Sequence, residues 1–361
     1  MEVQGHRLVA AGLVLLLFTV LSAVPGASQG KLRAAFVYVG PVGDAGWTYA
    51  HDQGRRCAEK QLGYVESTYV ENVAEADAER VIVDLARRGF KVIFTTSYGY
   101  MDATIAAARQ FPDTIFEHAS GFKRAKNVGT YFGRIEQARY LTGLVAGKMT
   151  KTNLIGYVAA HPIPEVVRGI NSFTLGVRAV NPKAKVHVVW TNTWYDPGTE
   201  REAAESLLNL GADVLAQHQD SPAAVQAASK RGKYAIGYHS DMSKFGGKNH
   251  LTAAVWNWCP LYVHILKQVR AGTWKSEDLW WGMERGVVDI APLSPVVPGA
   301  VRQLVEERRK AIVQGKFDLF AGPIKDQAGR VRVPKGSTVS DAQQLSMDWF
   351  VEGVVGTIPK K

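Results

Sequence analysis

The chain has 361 residues, 46% of them hydrophobic and 21% charged, which is ordinary for a globular protein and long enough for two domains with cores of their own. With 43 Lys and Arg against 33 Asp and Glu, the net charge is +10. The basic residues are interleaved with acids, as in "EVVRG", "EERRK" and "GTEREAAES", so the charge reads as a solvated surface, and no nucleic-acid partner is expected.

The first predicted element is "MEVQGHRLVAAGLVLLLFTVLSAVPGASQG". Arg7 precedes an apolar run from Leu8 to Leu21, and small residues follow from Ser22 to Ser28, the pattern of a secretory signal peptide over residues 1–28. The run is short for a membrane span. No cysteine stands near the cleavage region, so a lipid anchor is not indicated and a freely diffusing periplasmic protein is expected. The 2 cysteines, Cys57 and Cys259, lie in apolar contexts without metal-ligand company, and both are expected to remain free thiols.

From Lys31 the chain alternates strand and helix. "LRAAFVYVG" leads through a glycine-rich elbow to a helix near 50–62, and "YVESTYV" to a helix over 76–89 with Gly89 as its stop. "KVIFTTS", "DATIAAARQF", "TIFEHAS", "NVGTYFG" and the helix "IEQARYLTGLVAGKM" complete the half. The pattern restarts with "LIGYVAA", "PEVVRGINSFTLGVRAV", "KVHVVWTNT", "GTEREAAESLLNLG", "ADVLAQH", "SPAAVQAASKRG", "YAIGYHS" and "LTAAVWNW". Such alternation predicts an α/β fold of two Rossmann-like lobes with parallel sheets joined by a hinge. The predicted boundaries are an N-terminal lobe over 31–150 and a C-terminal lobe over 151–255. Residues 256–361 then cross back to the first lobe and are shared between the two.

Ligands of open α/β sheets sit beyond the carboxyl ends of the strands, and these ends are aromatic and polar. Asp44, Trp47 and Thr48 follow the first strand; Ser97, Tyr98 and Gly99 follow the third; Ser120 follows the fourth. The second half contributes Trp194, then Asp220, His239 and Asp241, then Trp256 and Asn257. Aromatic faces with a few hydrogen-bonding groups suit a flat, mostly uncharged, nitrogen-rich ligand, and the lack of an Arg or Lys cluster argues against a phosphate. Asp44 is equally suited to cap a helix, Asp241 to brace a turn, and Asp196 before Pro197 to cap the next helix. Trp190 reads as core, while Trp274, Trp280 and Trp281 read as cover for a lobe junction. No G-x-S-x-G elbow, H-E-x-x-H or Walker loop occurs; a nucleoside hydrolase is the weaker alternative, and no cofactor is expected.

The segments "GDAGWTYAHDQG", "NVGTYFGRIEQARYLTGLVAG", "VNPKAKVHVVWTNTWYDPGTEREAAESLLNLGADVLAQH" and "AIGYHSDM" occur in order along nearly all of the mature chain. With them it resembles the Bmp (basic membrane protein)/PnrA-like substrate-binding proteins of ABC transporters. That resemblance implies a type I periplasmic-binding-protein fold, capture of purine nucleosides for import, and an ABC permease as partner; a monomer is the default expectation. It places Trp47 at a stacking Phe of the family, Thr48 at an Asn and Trp194 at a second aromatic position. His239 stands where the family holds ribose with an Asp, Asn257 where a Lys is common, and Ser120 where an acid ends the fourth strand. The tail "FAGPIKDQAGRVRVPKGSTVS" is similar to a proteobacterial branch, some members of which bind a free purine base. The departures at the ribose positions favour a base such as adenine over a nucleoside. Asp220 or Asp44 is then the acceptor for an exocyclic amine, and Asn257 or a backbone N–H the partner of a ring nitrogen.

Overall fold

The computed structural model describes residues 1–2 and 30–359; the apolar run and cleavage region of the predicted leader lie outside the described residues. The first half runs β1 (Leu32–Val37), α1 (Trp47–Leu62), β2 (Val65–Val70), α2 (Ala78–Arg87), β3 (Val92–Thr95), α3 (Met101–Gln110), β4 (Ile115–Ala119), β5 (Val128–Gly133) and α4 (Ile135–Met149). The second runs β6 (Leu154–Ala159), α5 (Pro164–Val180), β7 (Lys185–Trp190), α6 (Pro197–Asn209), β8 (Val214–His218) and α7 (Ala223–Lys230). It continues through β9 (Tyr234–His239), the single turn α8 (Ser243–Gly246), β10 (His250–Trp256) and α9 (Cys259–Ala271). The remainder holds β11 (Asp278–Trp281), β12 (Val288–Ile290), α10 (Gly299–Val313), β13 (Ile324–Lys325), β14 (Val331–Val333), α11 (Asp341–Leu345) and β15 (Val354–Val355).

Two large sheets result, ordered β11-β5-β4-β3-β1-β2 and β12-β10-β9-β8-β6-β7-β15, beside a small antiparallel pair of β13 and β14. The first is parallel throughout. The second departs from the expected parallel sheet at one edge, where β12 runs antiparallel to β10. Both share one internal order, in which the opening strand of each half lies between the second and third. The chain reverses direction across the sheet at β1/β3 and again at β6/β8, and each reversal leaves a crevice at the strand ends. The chain passes between sheets three times: from β5 into α4, from β10 into α9, and from β11 to β12.

Helix boundaries follow local chemistry. Asp196 caps α6 through the N–H groups of Gly198 and Thr199, with Pro197 at the first helical position. Helices α4 and α5 cross at contact distance because Gly143 and Gly176 face each other's backbones. A Cβ on Gly143 would lie 2.1 Å from the Phe173 carbonyl oxygen, and one on Gly176 2.1 Å from that of Tyr140.

The cysteines are not free thiols. Cys57 of α1 and Cys259 of α9 form a disulfide with Cα atoms 5.6 Å apart. Two residues 202 positions apart meet because the chain returns to the first lobe along α9 and lays it against α1. Trp190 is half-buried rather than core; its indole donates to the Thr357 carbonyl at 2.8 Å and stacks near Phe350.

Candidate functional site

The lobes are closed on each other. The Ser240 hydroxyl donates to the Ala45 carbonyl, and a Cβ on Gly46 would sit 1.9 Å from the Asp220 carbonyl oxygen. Only glycine permits that approach.

Between the lobes lies a cavity lined by Val39, Trp47, Ser97, Tyr98, Ser120, Glu165, Trp194, His218, Asp220 and His239. The first four follow β1 and β3, and Glu165, His218 and Asp220 follow or end β6 and β8, so the wall is built from the two crevices. Two lining residues after strands, Ser120 (φ 60°) and His239 (φ 69°), hold the left-handed conformation that non-glycine residues rarely adopt. That backbone turn at the end of β9 is what directs the His239 ring.

Trp47 opens α1 and is 7% exposed. Its indole N–H donates to the Thr96 carbonyl at 2.6 Å, and its ring meets His51, His239, Trp256 and Trp258 edge to face. Trp47 is therefore both cavity wall and part of a buried aromatic cluster, in which Trp256 and Trp258 stack with centroids 4.6 Å apart. Across the cavity Trp194 packs on His161, with ring centroids 4.7 Å apart.

His239 and Asp220 form the polar centre. His239 Nδ1 accepts from Trp256 Nε1 at 2.9 Å, so the ring's proton is on Nε2, 3.0 Å from Asp220 Oδ1. The ring plane does not aim that N–H along the line to the oxygen, and Nε2 is buried without a hydrogen-bond partner. Burial holds the His239 pKa well below that of a free imidazole. Burial likewise pushes the Asp220 carboxyl well above the carboxylate range, with Asp44, Glu200 and Glu165 acting in the same direction. Beside them His218 Nε2 stands 3.5 Å from Glu165 Oε1, and burial lowers its pKa to about 4. Behind the wall the fully buried Arg139 lies 3.5 Å from the Tyr238 ring centre and donates to the Gln217 carbonyl at 2.7 Å.

Six of the sequence-predicted residues do not line the cavity. Asp44 accepts from the N–H groups of Gly46, Thr48 and Tyr49 at 2.7, 2.9 and 2.9 Å; it caps α1, and burial lifts its pKa to about 6 against the pull of those donors. Thr48 accepts from Gly40 N–H. Gly99 lies against Glu75, whose carboxyl carbon would be 1.9 Å from an added Cβ. Asp241 braces a turn through Ser243 N–H. Trp256 stands behind His239, and Asn257 donates to the Gly286 carbonyl in the third crossing. The pattern missed His218, the last residue of β8, and the apolar Val39 just after β1; Glu165 follows β6 and was within its reach. Among the described residues no group of three His, Cys, Asp or Glu is placed to hold a metal ion.

A second compartment adjoins the first and shares Tyr98, Ser120 and Glu165 with it. Phe132, Arg168, Trp280 and Leu345 help to line it.

A family described as ABC transporter substrate-binding protein, PnrA-like (Bmp) matches residues 31–316. The chain belongs to this family. Bmp proteins are substrate-binding proteins of ABC transporters rather than enzymes. Similar to this Bmp protein is the purine-binding protein of Brucella abortus, 48% identical over 92% of this chain and 95% of its own length. A Haloferax volcanii protein named as an ABC transporter glucose-binding protein is 43% identical over 92% of this chain and 83% of its own. A solved ABC transporter solute-binding protein of Conexibacter woesei superposes with a TM-score of 0.66 at 24% identity, covering 80% of this chain and 98% of that one. This last likeness bears on the fold, that of the periplasmic binding proteins.

Proposed function

We propose that this protein is an exported receptor that captures a purine between its lobes and delivers it to the permease of an ABC importer, a free base such as adenine being the preferred ligand. The observation that carries this reading is the pairing of Asp220 and His239, 3.0 Å apart, on a wall that also presents Trp47 and Trp194. The N7 and N6 positions of adenine set an acceptor beside an amine donor. The His239 Nε2–H and an Asp220 oxygen match that pair. Aromatic stacking adds about 1–3 kcal/mol per base. None of the lining residues is Lys or Arg, which favours an uncharged ligand over a nucleotide. The Brucella relative's name agrees with a purine. The predicted leader over residues 1–28 would place the mature, unlipidated chain in the periplasm.

A nucleoside is the second reading, favoured by the compartment that adjoins the cavity and shares Tyr98, Ser120 and Glu165 with it. Native mass spectrometry of the purified protein, followed by calorimetric titration with adenine, adenosine and glucose, separates the readings. Retention of adenine and tight adenine binding are expected. Retained adenosine selects the nucleoside, and a retained hexose with no purine binding overturns both.

A further inference from the structure

Residues 317–359 lie beyond the span matched by the family, yet they reach the hinge. Arg134, the link from β5 to α4, makes a two-pronged ion pair with Asp341 of α11, at 2.9 and 2.7 Å. The same guanidinium stands 4.2 Å from the ring centre of Trp280, a residue of β11 at the edge of the first sheet. Arg168, on α5 of the second lobe and 2% exposed, approaches that ring to 4.9 Å. Its Nη1 donates to the Gln344 carbonyl at 3.1 Å, and Glu136 Oε2 lies 3.5 Å from its Nε. One indole of the first lobe is thus met by two guanidiniums, each held by the C-terminal tail.

We propose that this clasp latches the closed receptor, with Trp280 and Arg168 acting as positioning residues that set how long a captured ligand stays. The Arg168–Trp280 contact joins the two lobes, and as a latch it would form on closing and part on opening. A contact confined to one of two states shifts their equilibrium by its own worth. Cation–π contacts are stronger where water is excluded, and the burial of Arg168 provides that condition. The tail matters because both arginines are long and flexible; Asp341 and the Gln344 carbonyl fix them where the ring arrives. Release requires the lobes to part, so loss of the latch appears in the dissociation rate while encounter is little changed. The inference rests on capture by lobe closure as argued above, but not on the ligand being a purine.

The test compares the full mature chain with Trp280→Leu, Trp280→Phe and Asp341→Asn. Stopped-flow measurement of adenine release is expected to show dissociation about five- to thirty-fold faster in Trp280→Leu, with association changed by less than about threefold. Trp280→Phe, which keeps a ring face, recovers much of the loss, and Asp341→Asn shifts dissociation in the same direction by less. A folded Trp280→Leu protein with unchanged dissociation overturns the latch, as does a change confined to association. Should Trp280→Leu fail to fold, Asp341→Asn decides alone, since it alters a carboxylate at the surface. If the wild-type protein binds no adenine, the purine reading falls. The latch is then read from small-angle X-ray scattering of the unliganded proteins. A larger radius of gyration for Trp280→Leu supports it, and equal radii overturn it.

Discussion

The indole N–H of Trp256 donates to Nδ1 of His239 over 2.9 Å, and this bond decides which nitrogen of His239 faces Asp220. An indole nitrogen only donates, so Nδ1 carries no proton and the N–H is at Nε2. Trp256 is not among the residues lining the interlobe cavity, yet it sets the donor pattern of the wall. Trp256→Phe keeps a buried ring and removes that instruction. Adenine binding is expected to weaken by about 0.5–1.5 kcal/mol, the usual worth of one hydrogen bond. Nitrogen-resolved NMR of the His239 ring should show a tautomer mixture in the variant and one tautomer in the wild type. A single unchanged tautomer would remove the argument.

Asp220 is expected to act as a neutral acid. Its carboxyl is 3% exposed, and burial together with three neighbouring carboxylates raises its pKa. A protonated carboxyl offers one donor and one acceptor in the shape of an amide. Asp220→Asn should therefore keep adenine affinity within about tenfold. Asp220→Ala leaves ligand groups unpaired and should cost about 1–3 kcal/mol. Calorimetry on the two variants at pH 7 gives the ordering. Equal losses in both would show that binding uses the ionised form.

The Cys57–Cys259 bridge closes a loop of 202 residues and ties α1 to α9 outside the cavity. Crosslinking a long loop restricts the unfolded chain, an effect typically worth 2–4 kcal/mol, on the order of 5 for the longest loops. The double substitution of both cysteines by serine should lower the folding free energy by about 2–5 kcal/mol. Its adenine affinity should stay close to wild type, because neither cysteine lines the site. Denaturant unfolding and titration on the same preparation check both halves.

What was legible in the sequence was periodic or punctuated. The runs over α4 and α5 carry their own length and stops, and the change from aliphatic strand to polar end points to Trp47, Ser97, Tyr98, Ser120, Trp194, Asp220 and His239, all on the cavity wall. Side-chain direction was not legible. Asp44, Thr48 and Asp241 also follow strands, but each is taken up by loop or helix N–H groups, a choice set by backbone angles rather than residue type. The disulfide was hidden because its helices are neighbours only after two crossings between lobes. The tail was hidden because its strands have two or three residues, too few to show a period.

The doubly employed Trp47 allows a sharper expectation than either role alone. Its ring lines the cavity, while its edge contacts and the bond to Thr96 tie it to the core of the first lobe. Trp47→Ala should thus lose on two independent readouts. Folding stability should fall by about 3–5 kcal/mol for the truncated aromatic, and adenine binding by about 1–3 kcal/mol for the missing stacking face. Trp47→Phe keeps a flat face but drops the N–H that Thr96 accepts. Its affinity should remain nearer wild type, while stability falls by about 0.5–1.5 kcal/mol for the hydrogen bond, plus a packing loss. Thermal melts of the unliganded proteins and calorimetric titration with adenine separate the two effects. A Trp47→Ala protein that melts far below wild type yet binds adenine with unchanged affinity would assign the residue to the core alone.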